Sequence, residues 1–357
     1  MGVWGLRPQR VQGGALALSD SLSADRVLQE RGVSRDLGAF VVAAAFSAGV
    51  AAFATGEGAV WLAADWREVA VHDGAVLALA AAPGGFVTGG DDGAFRRVGV
   101  DGAVAEVAGF GGRWVEQVAS YPAVGKAAGL LACAAGKVVH VFDAGGAKLK
   151  ALEHPSTVTG LVFDAKGKRV AASHYGGASL WFVAAKTDSP RRLEWKGSHT
   201  GIAISPDGDA VVTSMQENAL HGWRLSDGHH MRMSGYPAKT ESLSFSRTGK
   251  WLASSGADAV VLWPFFGGGP TGKAPTELAG GDGVLCTRVA CHPQHEAVAA
   301  GFSDGLVVVA DIGTARILPV AAPGRGAVSA LAWSGDGARL AFGTEQGFAA
   351  LVDFSRR

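Results

Sequence analysis

The stretch Ile204–Ser214, ISPDGDAVVTS, places a tight polar turn between two short apolar runs. The same arrangement occurs in FDAKGKRVAAS, from Phe163 to Ser173, and in FSRTGKWLASS, from Phe245 to Ser255. These three stretches begin 41 residues apart. Self-similarity at a fixed spacing of this size is typical of proteins built from repeated supersecondary units.

The whole chain follows this spacing. When the residue before each turn is taken as an anchor, eight copies can be aligned with a mean spacing of 41 residues. The third copy, with the turn YPAVGK, matches least well. The anchors are Phe46, Ala81, Ser120, Phe163, Ile204, Phe245, Cys291 and Trp333.

Each copy has room for four short strands. The run after the anchor turn consists of apolar and small residues, as in WLASSGADA from Trp251, and a third run carries large side chains. The fourth run is more polar, as in RRLEWKG from Arg191. Four antiparallel strands, ordered from a buried inner strand to a solvent-exposed outer strand, form a propeller blade. The large residues Trp181, Trp223 and Trp263 are expected to fill the gaps between blades.

The copies resemble the WD40 repeat family, as degenerate bacterial members do, from about Arg26 to Phe354. The resemblance is carried by the SPDG-type turns, by ASSGADAVVLW (Ala253–Trp263), by GGDDG (Gly89–Gly93) and by FSDG (Phe302–Gly305). It implies a ring closed by an N-terminal strand, which DRVLQERG (Asp25–Gly32) is expected to supply.

The expected fold is therefore all-β, a WD40-like β-propeller of eight four-stranded blades. Seven blades are the alternative, if the third copy is an insertion rather than a blade. Residues 25–357 are expected to form this single domain, and residues 1–24 a tail or an extra edge strand.

Composition limits the possible function. The 357 residues are 48% hydrophobic, and 32 basic residues balance 32 acidic ones, so the chain has no general attraction for nucleic acid or an anionic membrane. Three cysteines suit a reducing compartment. The first dense apolar run, Ala39–Phe46, is too short to span a bilayer. We expect a cytoplasmic monomer that binds neither nucleic acid nor membrane.

Motifs for catalysis are scarce, since the chain has no GxSxG, P-loop, HExxH or CxxC pattern. Cysteine and histidine at short spacing can bind zinc, and Cys286, Cys291, His292 and His295 are weak candidates. However, Cys291 and His292 stand at the anchor and the first turn position, where a core residue and a turn residue are expected. No metal and no cofactor are predicted.

Two sets of loops are candidates for binding a partner. Loops between second and third strands carry the acidic residues Glu57, Asp91, Asp92, Glu217, Asp258, Asp304 and Glu345. In the WD40 family, such a residue often bonds a histidine or the backbone instead. Loops leading into inner strands add His72, Arg113, Trp114, His199, Tyr236, Lys239 and Arg325. Alternatively, the side chains of Trp114 and Tyr236 cover the edges of blades.

The function expected from these features is a non-enzymatic scaffold that binds a protein or peptide on the loops around the central channel. A hydrolase-like propeller enzyme and a metal-handling accessory protein are the alternatives. If a partner binds, Arg113, Tyr236 and Arg325 are expected to matter more than Arg191, Arg192 and His230 on outer strands.

Overall fold

The computed structural model describes residues 9–10, 25–122, 129–281 and 283–355. Three elements come before the first inner strand in these ranges: β1 (Gln9–Arg10), helix α1 (Arg26–Arg31) and β2 (Gly32–Asp36).

Three four-stranded sheets follow, and each runs in chain order from an inner to an outer strand. Short apolar runs separated by glycine turns form their strands, as expected from the repeat. Their strands are β3 (Val41–Ser47), β4 (Val50–Thr55), β5 (Ala59–Leu62), β6 (Arg67–Ala70), β7 (Val76–Ala82), β8 (Gly85–Gly90), β9 (Ala94–Gly99), β10 (Val104–Gly109), β11 (Val115–Tyr121), β12 (Leu130–Ala135), β13 (Val138–Asp143) and β14 (Lys148–Glu153).

The next sheet has six strands, in the order β15-β16-β17-β18-β19-β20. Two of them are 14 residues long, because each continues through what is a loop in other copies. β17 pairs with β16 through its first half and with β18 from His199 to Ile204. The strands are β15 (Gly160–Phe163), β16 (Arg169–Phe182), β17 (Arg191–Ile204), β18 (Ala210–Met215), β19 (Ala219–Arg224) and β20 (His230–Ser234).

Three sheets complete the molecule. β1 adds in parallel to the outer strand of the first of these sheets, and β2 is the outer strand of the last. The strands are β21 (Leu243–Phe245), β22 (Trp251–Ser254), β23 (Val260–Pro264), β24 (Thr276–Leu278), β25 (Cys286–Cys291), β26 (Ala297–Phe302), β27 (Val307–Asp311), β28 (Ile317–Ala321), β29 (Val328–Trp333), β30 (Arg339–Thr344) and β31 (Phe348–Asp353).

The sheets form a β-propeller, as predicted. Inner strands contact one another in succession, and β29 closes the circle by packing on β3. The described residues form seven sheets, so the expectation of eight separate four-stranded blades is not confirmed. The expectation that the third copy could be an insertion was wrong, because Ser120 of that copy lies in the regular sheet β11–β14. Instead, the copies anchored at Phe163 and Ile204 share the six-stranded sheet.

An N-terminal strand closes the ring, but it is not formed by the residues that we expected. β2 pairs antiparallel with β31, from Gly32 opposite Val352 to Asp36 opposite Phe348. Arg26–Arg31 is helical instead, and an Arg26–Glu30 ion pair joins neighbouring turns of the helix. Leu28 is the buried residue of this helix. The Leu, Gln, Glu and Arg of this segment favour a helix over a strand.

The core lies within and between the sheets. Trp181 and Trp263 are buried between neighbouring sheets, as predicted, and Trp223 is buried between the two halves of the six-stranded sheet. Hydroxyl groups on inner strands join successive copies. The Thr287 hydroxyl donates to the carbonyl oxygen of Val328 at 2.6 Å, and Ser329 donates to that of Val41 at 2.6 Å. The second of these bonds connects the last copy to the first.

Candidate interaction face

The antiparallel order of the strands brings two sets of loops to one end of the propeller. These are the loops between second and third strands and the loops leading into each inner strand. We call this end the loop face. All of the residues predicted to contact a partner belong to these loops or border them. The turns between inner and second strands lie at the other end, which we call the opposite face.

His72 and Tyr236 are buried below the loop face. Both stand nine residues before an anchor. His72 Nδ1 lies 2.9 Å from Asp92 Oδ1, and its Nε2 lies 2.9 Å from Thr88 Oγ1. The Tyr236 hydroxyl lies 2.6 Å from Ser254 Oγ and accepts a hydrogen bond from the Trp263 indole at 2.6 Å. Each side chain thus ties a loop to the strands behind it and is not available at the surface.

Asp92 is fully engaged in the same network. Its carboxylate accepts hydrogen bonds from the backbone N–H groups of Ala94 and Asp73 and from Arg96. Burial favours the neutral carboxyl group, yet the bonds from Ala94 and His72 hold the pKa of Asp92 below its ordinary value. At this loop the acidic residue bonds a histidine, which was the alternative to a binding role.

His199 is part of the core rather than of the rim. Its side chain is fully buried, Nδ1 lies 2.7 Å from Thr213 Oγ1, and Nε2 lies 3.0 Å from the carbonyl oxygen of Trp195. It stands five residues before its anchor, where other copies have Val41 or Val76. Burial lowers the pKa of His199, so the neutral imidazole is favoured.

Arg325 is bound within the chain. Its guanidinium forms an ion pair with Asp25, which precedes α1, and donates to the carbonyl oxygen of Ala322 at 3.0 Å. The same group lies over the Phe348 ring, 5.0 Å from its centroid. Arg325 therefore joins the N-terminal segment to the last two copies of the ring.

The remaining predicted residues are at least partly accessible. Arg113, Glu217 and Glu345 are exposed, and the side chain of Trp114 is 56% exposed. Lys239, Asp258 and Asp304 are half-buried. Asp304 Oδ1 accepts a hydrogen bond from the backbone N–H of Leu306 at 2.9 Å, which stabilises its own turn.

Two exposed aromatic residues of the loop face were missed from the sequence. Phe40, in the loop leading into β3, is 43% exposed, and Tyr175, at the turn within β16, is 68% exposed. Tyr175 stands where most copies have glycine, acidic or other polar residues, and Phe40 stands six residues before its anchor, at the position that Trp114 has in the third copy. A large aromatic residue at a turn position was the available signal.

The loop face carries an excess of negative charge among the described residues. Its acidic residues outnumber its basic ones, which are Arg113, Lys137, Lys196, Lys239 and Arg325. The acidic residues are Glu57, Asp73, Asp91, Asp92, Glu217, Glu241, Asp258, Asp304 and Glu345.

The four candidate metal ligands are occupied within the protein or apart from one another. Cys286 and Cys291 lie on β25, and burial raises the pKa of each thiol to about 12. Cys291 Sγ contacts the carbonyl oxygen of Ser244 at 3.3 Å. His292 Nδ1 accepts hydrogen bonds from the N–H groups of Gln294 and His295. No group of three or more potential ligands is assembled anywhere in the described part of the chain.

No helix among the described residues is long and apolar enough to cross a bilayer.

Comparison with known proteins shows the fold alone. No protein-family model matches the sequence, and no curated protein matches it significantly. Among solved structures, the chain is similar to the crystal structure of the computationally designed Ika8 protein. The TM-score is 0.70 at 21% sequence identity, over 89% of this chain and 98% of the designed one.

Proposed function

We propose that this chain is a non-enzymatic interaction module that binds a protein or peptide on its loop face. The observation that carries the proposal is the set of exposed aromatic side chains Phe40, Trp114 and Tyr175, which all belong to loops of that face. Exposed Arg113 lies directly beside Trp114.

The residue types support a binding role. Tryptophan, tyrosine and arginine are the side chains that most often dominate the energy of protein interfaces. An exposed aromatic ring also keeps apolar surface in water, which a partner would remove on binding. With His72, His199 and Tyr236 engaged in the interior, Arg113 and Trp114 are the strongest members of the originally predicted set.

The charge of the loop face favours a partner with a basic segment. An excess of carboxylates steers positively charged groups toward the face and disfavours acidic partners. This steering weakens as salt screens the charges.

We further propose that the propeller is of the WD40 type and that its ring contains eight repeat units. The His72–Thr88–Asp92 and Tyr236–Ser254–Trp263 networks support the type, because each ties a loop to a second strand. Eight inner segments in a closed circle of contacts support the count: β3, β7, β11, β15, the second half of β17, β21, β25 and β29. The six-stranded sheet then holds two units joined by continuous strands.

We further propose that this role involves no catalysis, metal or cofactor and belongs to a cytoplasmic monomer. Burial raises the pKa of the Cys286 and Cys291 thiols, which makes both poor nucleophiles. The described cysteines are free thiols, as a reducing compartment would keep them.

Affinity capture with matched variants tests the proposed surface. The loop-face variant combines Phe40→Ala, Trp114→Ala and Tyr175→Ala, and the control combines Phe182→Ala and Phe266→Ala, two exposed aromatics of the opposite face. A partner should be retained by the wild type and the control variant and lost from the loop-face variant. Loss from the control alone would contradict the proposal.

A further inference from the structure

A cavity of about 780 Å³ opens on the opposite face, where the inner strands of the first four copies meet. Phe46 and Phe163 border it, and Ala81 and Ser120 lie between them. These four residues are the anchors of four successive copies. The cavity is therefore separate from the loops proposed to bind a partner.

The cavity follows from a local departure from the repeat. At the anchor position, most copies have a large side chain, such as Phe245 or Trp333, that packs against its neighbours. The second and third copies have Ala81 and Ser120 instead, side by side in the ring. Two adjacent small residues leave unfilled the space that large side chains occupy elsewhere.

The wall offers little polar chemistry. None of the described residues that line the cavity has an ionisable side chain. The Ser47 hydroxyl donates to the carbonyl oxygen of Ala82 at 2.7 Å, and that of Ser120 donates to the carbonyl oxygen of Ala81. A charged ligand would lose its hydration here without gaining a counter-charge from any of these residues.

We propose that this cavity binds one uncharged, mainly apolar small molecule of aromatic or branched aliphatic character. Its volume lies in the range of small-molecule sites, roughly 300–1,000 Å³. Ala48 and Gly84, which lie at two of the described turns around it, are exposed to solvent. The occupant gains burial of its own apolar surface against the phenylalanine rings and alanine side chains.

Titration of the full chain with N-phenyl-1-naphthylamine, a neutral fluorescent probe, tests the site. Saturable binding of one probe per chain is expected. Ala81→Phe restores the side chain that other copies carry and should weaken binding roughly ten-fold or more. Ala48→Leu narrows the mouth from an exposed position and should also weaken binding. It serves as the second variant if Ala81→Phe does not fold.

The control Leu149→Ala, at an exposed position of the outer strand β14, should bind the probe as the wild type does. The anionic analogue 1-anilinonaphthalene-8-sulfonate should bind less tightly than the neutral probe. Undiminished probe binding in a folded Ala81→Phe or Ala48→Leu variant would overturn the proposal, as would absence of saturable binding. Equal affinity for the anionic probe would overturn the uncharged character of the ligand.

Discussion

Different polar side chains occupy one equivalent position below the loop face, and each makes a hydrogen bond to the strands behind it. His72 and Tyr236 both stand nine residues before an anchor, and both bond a hydroxyl group of the second strand behind them. His154, at the same offset, accepts a hydrogen bond from the Trp181 indole at 3.0 Å. A buried polar side chain at this position holds its loop against the sheet, whatever its type.

The Tyr236 hydroxyl should therefore contribute measurably to stability. Tyr236→Phe removes the acceptor of the Trp263 N–H and a partner of Ser254, both buried. We expect the free energy of unfolding to fall by about 1–3 kcal/mol, since a buried donor is left unpaired. Urea denaturation measures the change. Tyr175→Phe, at an exposed tyrosine, is the matched control and should stay within about 0.5 kcal/mol of the wild type. Equal effects of the two substitutions would contradict this role.

At the scale of the element, the ring depends on bonds between successive inner strands and on its N-terminal clasp. Thr287, Ser329 and Thr159 stand at equivalent positions of their copies and donate to the backbone of the next copy. The clasp consists of β2 on β31 and of Asp25 paired with Arg325. These contacts help to join the sheets into a circle.

Ser329→Ala tests the bond between the last copy and the first. The substitution leaves the buried carbonyl oxygen of Val41 without this donor, and we expect a loss of about 1 kcal/mol. Thermal unfolding of the variant is compared with that of Ser34→Ala, which alters an exposed serine of the closing strand β2. An unfolding temperature equal to that of this control would show that the hydroxyl does not hold the ring together.

Removal of residues 1–36 should destabilise the protein strongly. The deletion takes away α1 and β2, breaks the Asp25–Arg325 pair and leaves β31 as an open sheet edge that is prone to aggregate. Removal of residues 1–24 is the matched control, because it keeps the whole clasp. Unfolding temperature and gel filtration compare the two chains. If both unfolded at one temperature, β2 would not be the element that secures the ring.

How much of the fold could be predicted from the sequence depends on how often a sequence signal recurs among the copies. Anchors, turns and gap-filling tryptophans recur in many copies, so the propeller was predictable. The helix at Arg26–Arg31 occurs once, and a short run of good helix formers was outweighed by the expectation of a strand there. The shared sheet depends on Gly177, where φ is 139° and a Cβ would lie 2.0 Å from the carbonyl oxygen of Leu193. Such continuity of a strand through a turn leaves no repeated sequence signal.

At the candidate site, alignment of the copies carried information that residue type alone did not. His199 stands where other copies have Val41, Val76 and Val115, all fully buried, and this equivalence indicates a core position. The ion pair of Arg325 with Asp25 joins residues 300 positions apart, so no local pattern could reveal it. Phe40 and Tyr175 did carry a sequence signal, a large aromatic residue at a turn position, which was overlooked.

At the scale of the whole molecule, buried histidines make the propeller sensitive to acid. Burial lowers the pKa of His140 and His154 to about 4 and that of His221 to about 3, and lowers the pKa of His199 as well. The neutral forms are favoured in the folded state, whereas the unfolded chain binds protons below about pH 6.5. Stability should therefore fall from about pH 6.5 down to the folded-state values near pH 3–4.

The substitution His221→Phe measures how much His221 contributes to the loss of stability in acid. The ring of His221 stacks on Trp195, with centroids 4.0 Å apart, and a phenyl ring preserves that stacking. We expect the decline of unfolding free energy with acid to lessen by up to about 1.4 kcal/mol per pH unit. Urea denaturation followed by tryptophan fluorescence between pH 4.5 and about 7 gives the slope. An unchanged slope in His221→Phe would contradict the explanation.

Site-specific photo-cross-linking in the native host tests most directly whether the loop face binds a partner. The photoreactive residue p-benzoylphenylalanine replaces Trp114 in one chain and Phe182, equally exposed on the opposite face, in another. Irradiation should yield a discrete covalent adduct with a partner from position 114 and none from position 182. An adduct from position 182 alone, or no adduct from position 114, would contradict the assignment of the loop face as the interaction surface.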